Sequence, residues 1–380
     1  MPAARGEEMK VKVKDIAAAL ETIAPARLAE EWDNVGLLVG DAEATVQRLM
    51  LCIDLTEAVL DEAIAAKAQM VMAYHPVIFK SIRRLTASSS PVLWRAARAN
   101  LAIYSMHTAW DSTTGGTNDT LAALLGLADV RPLVAHRRSD TCKVTVFAQP
   151  ENMPAVAEAA WEAGAGHIGR YDRCGFVVDG EGTFRPQADA RPTVGRAGQQ
   201  EWTPEQRMEF TVPAGRLAHV CRAIRAAHSY EEPVIDVAPM TLCEDGTGMG
   251  RVGRLAGPAK LEALLRRIKR ALGVRRLLVA RPLDYPAPGR DAVERVAVSA
   301  GSAGGMWRDA LAAGAQLYLT GEMRHHDALA AAAAGMVVVC VGHSNSERPT
   351  LGALAERLGE TLDQLEIIPS DSDRDPFEIV

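Results

Sequence analysis

Two rhythms of hydrophobic positions run along the chain. Short, unbroken apolar runs occur at Arg48–Ile53, Gln69–Ala73 and Leu101–Met106, and again at Arg295–Ser299, Gln316–Thr320 and Met336–Val341. Runs of this length without polar alternation predict strands buried on both faces, the pattern of a parallel sheet. Between them, apolar residues recur at helical spacing in Glu57–Lys67, Val92–Ala99, Trp307–Ala313 and Ala328–Ala334. Strands and helices in regular alternation predict an α/β fold.

The two sets of runs resemble one another. Glu62-Ala-Ile-Ala-Ala-Lys-Ala-Gln69 aligns with Asp309-Ala-Leu-Ala-Ala-Gly-Ala-Gln316, and each octet leads into an apolar strand. One strand ends at Tyr74-His75 and its counterpart at Gly321-Glu322. The next pair of strands ends in His107-x-x-x-Asp111 and His343-x-x-x-Glu347. Alanine-rich helices match easily, so the polar strand ends, in the same order, are what make duplication the better reading.

The middle of the chain has a different texture. Cys142–Phe147, Arg207–Val212 and Pro233–Ala238 predict strands, and Met153–Ala163 and Gly215–Ala227 predict helices. Signals near Gly164-Ala-Gly166 and Gly180 are turn-like, and Phe184–Gln200 is a long polar loop. The β-α-β, β-α-β order predicts an inserted ferredoxin-like α+β domain within a duplicated α/β fold. Turn signals place the first half at 10–135, the insert at 138–245 and the second half at 246–372.

Composition and charge narrow the function classes. The formal net charge of −6 gives no global attraction to nucleic acid or to anionic membrane, and speaks against a nucleic-acid partner. The basic run Arg266–Arg276 shares a helical pattern with Leu264, Leu265, Ile268 and Leu272, so it reads as a solvated helix face. Six cysteines without a C-x-x-C pair fit neither a zinc-thiolate cluster nor a disulfide framework, and suit a reducing compartment. Met1–Asp15 has no apolar core, and the stretch Ala328–Gly342 is too short to span a bilayer. A cytoplasmic protein without a membrane partner is expected.

In open α/β sheets, ligands gather at the carboxyl ends of strands. His75, His107, Asp111, Glu322, His343 and Glu347 all fall there. Imidazoles and carboxylates without thiolates suit zinc, manganese, iron, nickel or cobalt and do not choose among them. Each residue has a plainer reading. His75 precedes Pro76 and could be a turn residue; the two i, i+4 pairs could be helix caps; Glu322, with His325 and His326, could be an exposed helix start. Together, the metal reading explains more. The Ala300–Gly305 turn could cradle an anion or simply need small residues. Gly248-Met-Gly-Arg-Val-Gly253 matches a dinucleotide fingerprint only as text, since no helix opens after it.

The motifs Glu31-Trp-Asp-Asn-Val-Gly-Leu-Leu-Val-Gly40, Tyr74-His-Pro-Val-Ile-Phe79, Ser105-Met-His-Thr-Ala-Trp-Asp111 with Gly115-Gly-Thr-Asn-Asp119, and Val341-Gly-His-Ser-Asn-Ser-Glu347 resemble the Nif-three-like family, also labelled GTP cyclohydrolase I type 2 homologues. The resemblance implies a three-layer α/β/α fold, a toroidal homohexamer, and a dinuclear centre of up to two divalent ions per chain. It also implies a PII/CutA-like insert, to whose motif His228-Ser-Tyr-Glu-Glu-Pro233 is similar. Carried across, it makes His75, Asp111, His343 and Glu347 metal ligands, with His107 a further candidate near the metal and Glu347 a possible bridge. The departure is Tyr74, where the family usually has a second histidine. A phenol with a reference pKa near ~10 is a poor ligand, so one full site and one weakened or empty site are expected.

The function implied is metal binding, with a metal-dependent hydrolase of a small-molecule substrate as the first expectation. Glu322 and His326 are the expected proton-transfer or substrate-positioning groups. GTP ring opening rests on the family label alone. There is no G-x-S-x-G elbow to suggest a side-chain nucleophile. The alternative is a non-enzymatic metal chaperone or regulatory scaffold.

Overall fold

The structure, a computed structural model, describes residues 11–136, 141–240, 246–285 and 292–378. The expected limits of the insert, 138 and 245, and Cys243 lie outside the described residues. The chain divides into two compact units: one holds the residues up to His136 and from Gly246 onward, the other the residues between.

In chain order the strands of the first stretch are β1 (Gly36–Val39), β2 (Arg48–Cys52), β3 (Met70–Ala73), β4 (Ala102–Ser105) and β5 (Ala128–Ala135). The second unit holds β6 (Thr141–Ala148), β7 (Phe176–Phe184), β8 (Glu201–Pro213) and β9 (Ile235–Pro239). The first unit then resumes with β10 (Gly248–Lys260), β11 (Leu278–Ala280), β12 (Ala292–Ser299), β13 (Leu317–Thr320), β14 (Val337–Cys340) and β15 (Glu366–Pro369).

The first unit contains two sheets, ordered β1-β4-β3-β2-β15 and β11-β14-β13-β12-β10-β5. Each has three adjacent parallel strands, β2-β3-β4 and β12-β13-β14, with an antiparallel edge strand beside the last of them. The uninterrupted apolar runs form these strands because both faces are covered. Leu49, Leu51, Met70 and Met72 pack on one side of the first sheet, and Met50, Val71 and Ile103 on the other, all essentially inaccessible. The matching octets make matching contacts. Gln69 Oε1 accepts from the backbone N–H groups of Gln47 and Arg48, and Gln316 Oε1 from those of Glu294 and Arg295. Arg48 reaches the carbonyl of Ala66, as Arg295 reaches that of Ala313.

The second unit has one antiparallel sheet, ordered β7-β8-β6-β9. Helices Met153–Glu162 and Leu217–Ala227 bury Val156, Ala160, Val220 and Ile224 with Val144, Val146 and Phe210 of the sheet. His228 is the extended residue that ends helix Leu217–Ala227. Its ring bonds the Phe147 carbonyl at 2.8 Å and accepts the Tyr230 N–H at 3.0 Å.

One expectation changes. The segment around Gly180 is not a turn but part of β7, which pairs with β8 along its whole length. None of its residues is buried, so no buried-run signal marks it; its pairing with β8 makes it a strand. Gly248–Gly253 lies inside β10, a thirteen-residue strand bonded on both sides, to β5 and β12. The first part of the basic run, up to Arg270, sits on helix Leu261–Leu272, which buries Leu261, Leu264, Leu265 and Ile268; Arg275 and Arg276 lie beyond its end. Among the described residues, no helix is long and apolar enough to cross a membrane.

Candidate metal centre

The carboxyl ends of β3 and β4 meet those of β13 and β14, and the polar strand ends gather there. Tyr74 and His75 extend β3, donating their N–H groups to Cys52 and Ile53. His107 and His343 each open a short helix, His107–Ser112 and His343–Glu347, directly after β4 and β14. The second helix is one turn long, which brings Glu347 back beneath His343. His107 holds a left-handed backbone, φ +31°, a conformation costly for a non-glycine residue and kept only when its surroundings fix it.

Ligand atoms of His75, His343 and Glu347 lie within 4.8 Å of one another. His343 Nε2 is 3.2 Å from Glu347 Oε1, and His75 Nε2 is 3.5 Å from Oε2. Each ring is held from behind by a second carboxylate. His75 Nδ1 contacts Asp54 at 2.9 Å, His343 Nδ1 contacts Glu322 at 2.9 Å, and His107 Nδ1 contacts Asp33 at 2.8 Å. A carboxylate on Nδ1 fixes the tautomer and turns the Nε2 lone pair toward the centre, the usual support for a metal-binding imidazole.

Two observations test whether a cation fits. Glu347 is 3% exposed, yet its Oε2 has no hydrogen-bond partner; a buried carboxylate oxygen left so is costly unless a cation satisfies it. Gly301, at φ +64°, faces the same carboxylate, and a Cβ there would lie 2.6 Å from Glu347 Oε1. The backbone thus leaves room for these donors. The residues fit one divalent cation.

The electrostatics agree. Burial disfavours the charged His75 ring, but Asp54 and Glu347 outweigh it and push its pKa up to about 10. Glu347 raises His343 to about 9, with burial opposing and Glu322 assisting. Burial pushes the Glu347 carboxyl up, yet the two imidazoles hold it below the ordinary value. Without an ion, protons fill the role of the missing positive charge.

The remaining expected residues are placed differently. Asp111 is buried, with its carboxylate against the Tyr74 hydroxyl rather than within the three-donor cluster; burial raises its pKa to about 6, against the Tyr74 hydrogen bond. The His107 ring stands beside that of His75, centroids 5.3 Å apart. Glu322 orients His343. His326 is exposed on helix His325–Ala333, beside His325, and does not line the cleft. Asp33 and Asp54 are site residues beyond those expected from the strand ends; Asp33 lies inside the Glu31–Gly40 motif and Asp54 just beyond β2, the one sequence signal each carries. The cleft has a volume of about 920 Å³, and the exposed rings of Trp32 and Phe79 stand at its mouth, centroids 5.7 Å apart.

The profile of the Duf34/NIF3 (NGG1p interacting factor 3) family matches residues 11–376. The chain belongs to the DUF34/NIF3 family. A relative from Halalkalibacterium halodurans, named "GTP cyclohydrolase 1 type 2 homolog", is 34% identical over 95% of this chain and 96% of its own. A Bacillus subtilis relative of the same name is 30% identical over 97% and 98%. The crystal structure of a Bacillus cereus protein related to NIF3 covers 97% of this chain and 99% of its own, with 33% identity and a TM-score of 0.69. A Staphylococcus aureus structure covers 98% and 99% with 25% identity and a TM-score of 0.79. This DUF34/NIF3 chain thus shares the mixed α/β architecture of its relatives along its length.

Proposed function

We propose that His75, His343 and Glu347 hold a divalent cation and that the cleft around them hydrolyses a small-molecule electrophile. The observation that carries this reading is the buried Glu347 carboxylate, whose Oε2 has only a 3.5 Å contact to His75 Nε2 and no hydrogen bond, set against two imidazoles whose other nitrogens are tied to carboxylates. A bound divalent cation supplies Lewis acidity and eases deprotonation of water. Trp32 and Phe79, exposed among the lining residues, offer apolar surface to a substrate. His107, held by Asp33 and facing the cleft, is placed to move a proton at Nε2. Glu322 fixes His343 and acts through it. The relatives' name supports a GTP cyclohydrolase-type ring opening as one candidate reaction.

The test pairs elemental analysis with an activity screen. Wild-type protein and a His343→Ala variant are loaded with Zn²⁺, Mn²⁺, Fe²⁺, Ni²⁺ or Co²⁺. They are then assayed on nucleotides, phosphoesters and cyclic amides. Bound metal and turnover in the wild type, both lost in the variant, support the proposal; wild-type protein that holds no metal ends it. Bound, rapidly exchanging metal without turnover selects the second reading, a metal-handling protein, which the partial exposure of His343 favours.

The matching octet contacts and parallel cores support reading the first unit as a duplicated three-layer α/β/α fold. The β-α-β-β-α-β order and wholly antiparallel sheet of the second unit support a ferredoxin-like insert. Assembly as a homohexamer in the cytoplasm is retained as a proposal on the family resemblance, with light scattering as its check.

A further inference from the structure

We infer that Tyr74 restricts this centre to a single cation by closing off the Asp111 carboxylate. The inference rests on the proposed metal site and concerns the room beside it. Tyr74 is 1% exposed and follows β3 at the position before His75. Its hydroxyl donates to Asp111 Oδ1 and lies 3.2 Å from Thr117 Oγ1. The phenol is thereby engaged as a donor, in the direction opposite to ligation.

The groups that a second ion would need are partly committed. Asp111 has one oxygen capped by the phenol, and its backbone carbonyl accepts from Asn118 Nδ2 at 2.9 Å. Asn118 in turn accepts the Ala300 N–H, so the helix carrying Asp111 is fixed against the loop that carries Gly301. His107 has Nδ1 on Asp33 and retains only Nε2. A second ion would have one imidazole nitrogen, one carboxylate oxygen and a share of Glu347. It would also have to break the buried hydrogen bond between Tyr74 and Asp111 to reach them, leaving the phenol only its 3.2 Å contact with Thr117. The side chains of Tyr74 and Asp111 serve each other better than they would serve a cation.

The experiment uses the full chain, saturated with Co²⁺ or Mn²⁺, freed of loose ions on a desalting column, and measured by elemental analysis. Mn²⁺ samples also give an EPR spectrum, in which two adjacent ions couple magnetically and one does not. Wild-type protein is expected to hold one ion per chain with an uncoupled spectrum. Tyr74→His, which replaces the donor with a ligand and frees Asp111, is expected to hold two with a coupled spectrum. Tyr74→Phe, which frees Asp111 but adds no ligand, is expected to take up a second, weaker ion that the wild type does not hold; a folded phenylalanine variant limited to one ion like the wild type would show that the cap on Asp111 is not the restriction. Two tightly held, coupled ions in the wild type would overturn the inference while leaving the metal reading intact, whereas no bound ion would remove both. Should the histidine variant fail to fold, the wild-type stoichiometry and coupling still decide the matter. A folded histidine variant that stays at one ion counts against it.

Discussion

Metal capture by this chain is expected to be coupled to the release of about two protons near neutral pH. In the metal-free protein the His75 and His343 pKa values are pushed up to about 10 and about 9. Both rings are then protonated at pH 7, and a cation can bind Nε2 only after displacing those protons. Below about pH 9 the apparent association constant should rise about 100-fold per pH unit, some 2.7 kcal/mol at about 1.36 kcal/mol per tenfold step. Calorimetric titration with Co²⁺ at pH 7, in buffers of different ionisation enthalpy, reads the proton count from the slope of heat against buffer enthalpy. A count near zero would refute the reasoning, because it would mean that the imidazoles are neutral and that Glu347 does not hold them charged.

The same linkage predicts that the pH trends of the two forms diverge. For each histidine the folded pKa lies above the ordinary value of 6.5. The stabilisation from these pairs is therefore fully present below about pH 6.5 and lost as pH climbs through about 9 to 10. The melting temperature of the metal-free protein should fall across that window. Metal at fixed concentration stabilises by its affinity, so over pH 6.5–8 the saturated protein should gain stability relative to the metal-free form. Parallel curves would show that the ion does not use these rings.

Three further outcomes follow from single residues. Gly301→Ala forces a left-handed backbone onto a residue with a side chain and sets a Cβ 2.6 Å from Glu347 Oε1; Co²⁺ affinity should drop at least about tenfold, at a stability cost of about 1–3 kcal/mol, and unchanged affinity would show that Glu347 is not a ligand. Asp54→Asn leaves His75 in place but weakens its Nδ1 partner, so the Kd for Co²⁺ should rise about 10- to 100-fold, measured by competition with a chromogenic chelator. Arg251 is 1% exposed and bonds both Asp119 oxygens and the carbonyls of Gly248, Gly250 and Thr113; Arg251→Met strands these acceptors and should cost about 3–5 kcal/mol, read as a lowered urea midpoint.

The buried parallel strands were legible because the environment on both faces is written into consecutive residues. Leu49 to Cys52 and Val337 to Val339 need no partner to be recognised. Strand β7 was not, since its residues stay exposed and only its register against β8 makes it a strand. The candidate donors divide along the same line. His75, His343 and Glu347 stand at strand ends, a position that local pattern marks. Two of the supporting carboxylates do not follow from spacing: Asp33 and His107 are 74 residues apart, and Asp54 lies 21 residues before His75. Which strand ends converge depends on how two sheets meet, and that is fixed by contacts such as Trp110 to Thr350 and Ile53 to Asp373, separated by 240 and 320 residues. Tyr74 joins the two levels. The residue itself is plain in the sequence, but its hydrogen bond to Asp111 exists only after folding, and that bond turns one altered side chain into a limit on how many ions the centre can hold.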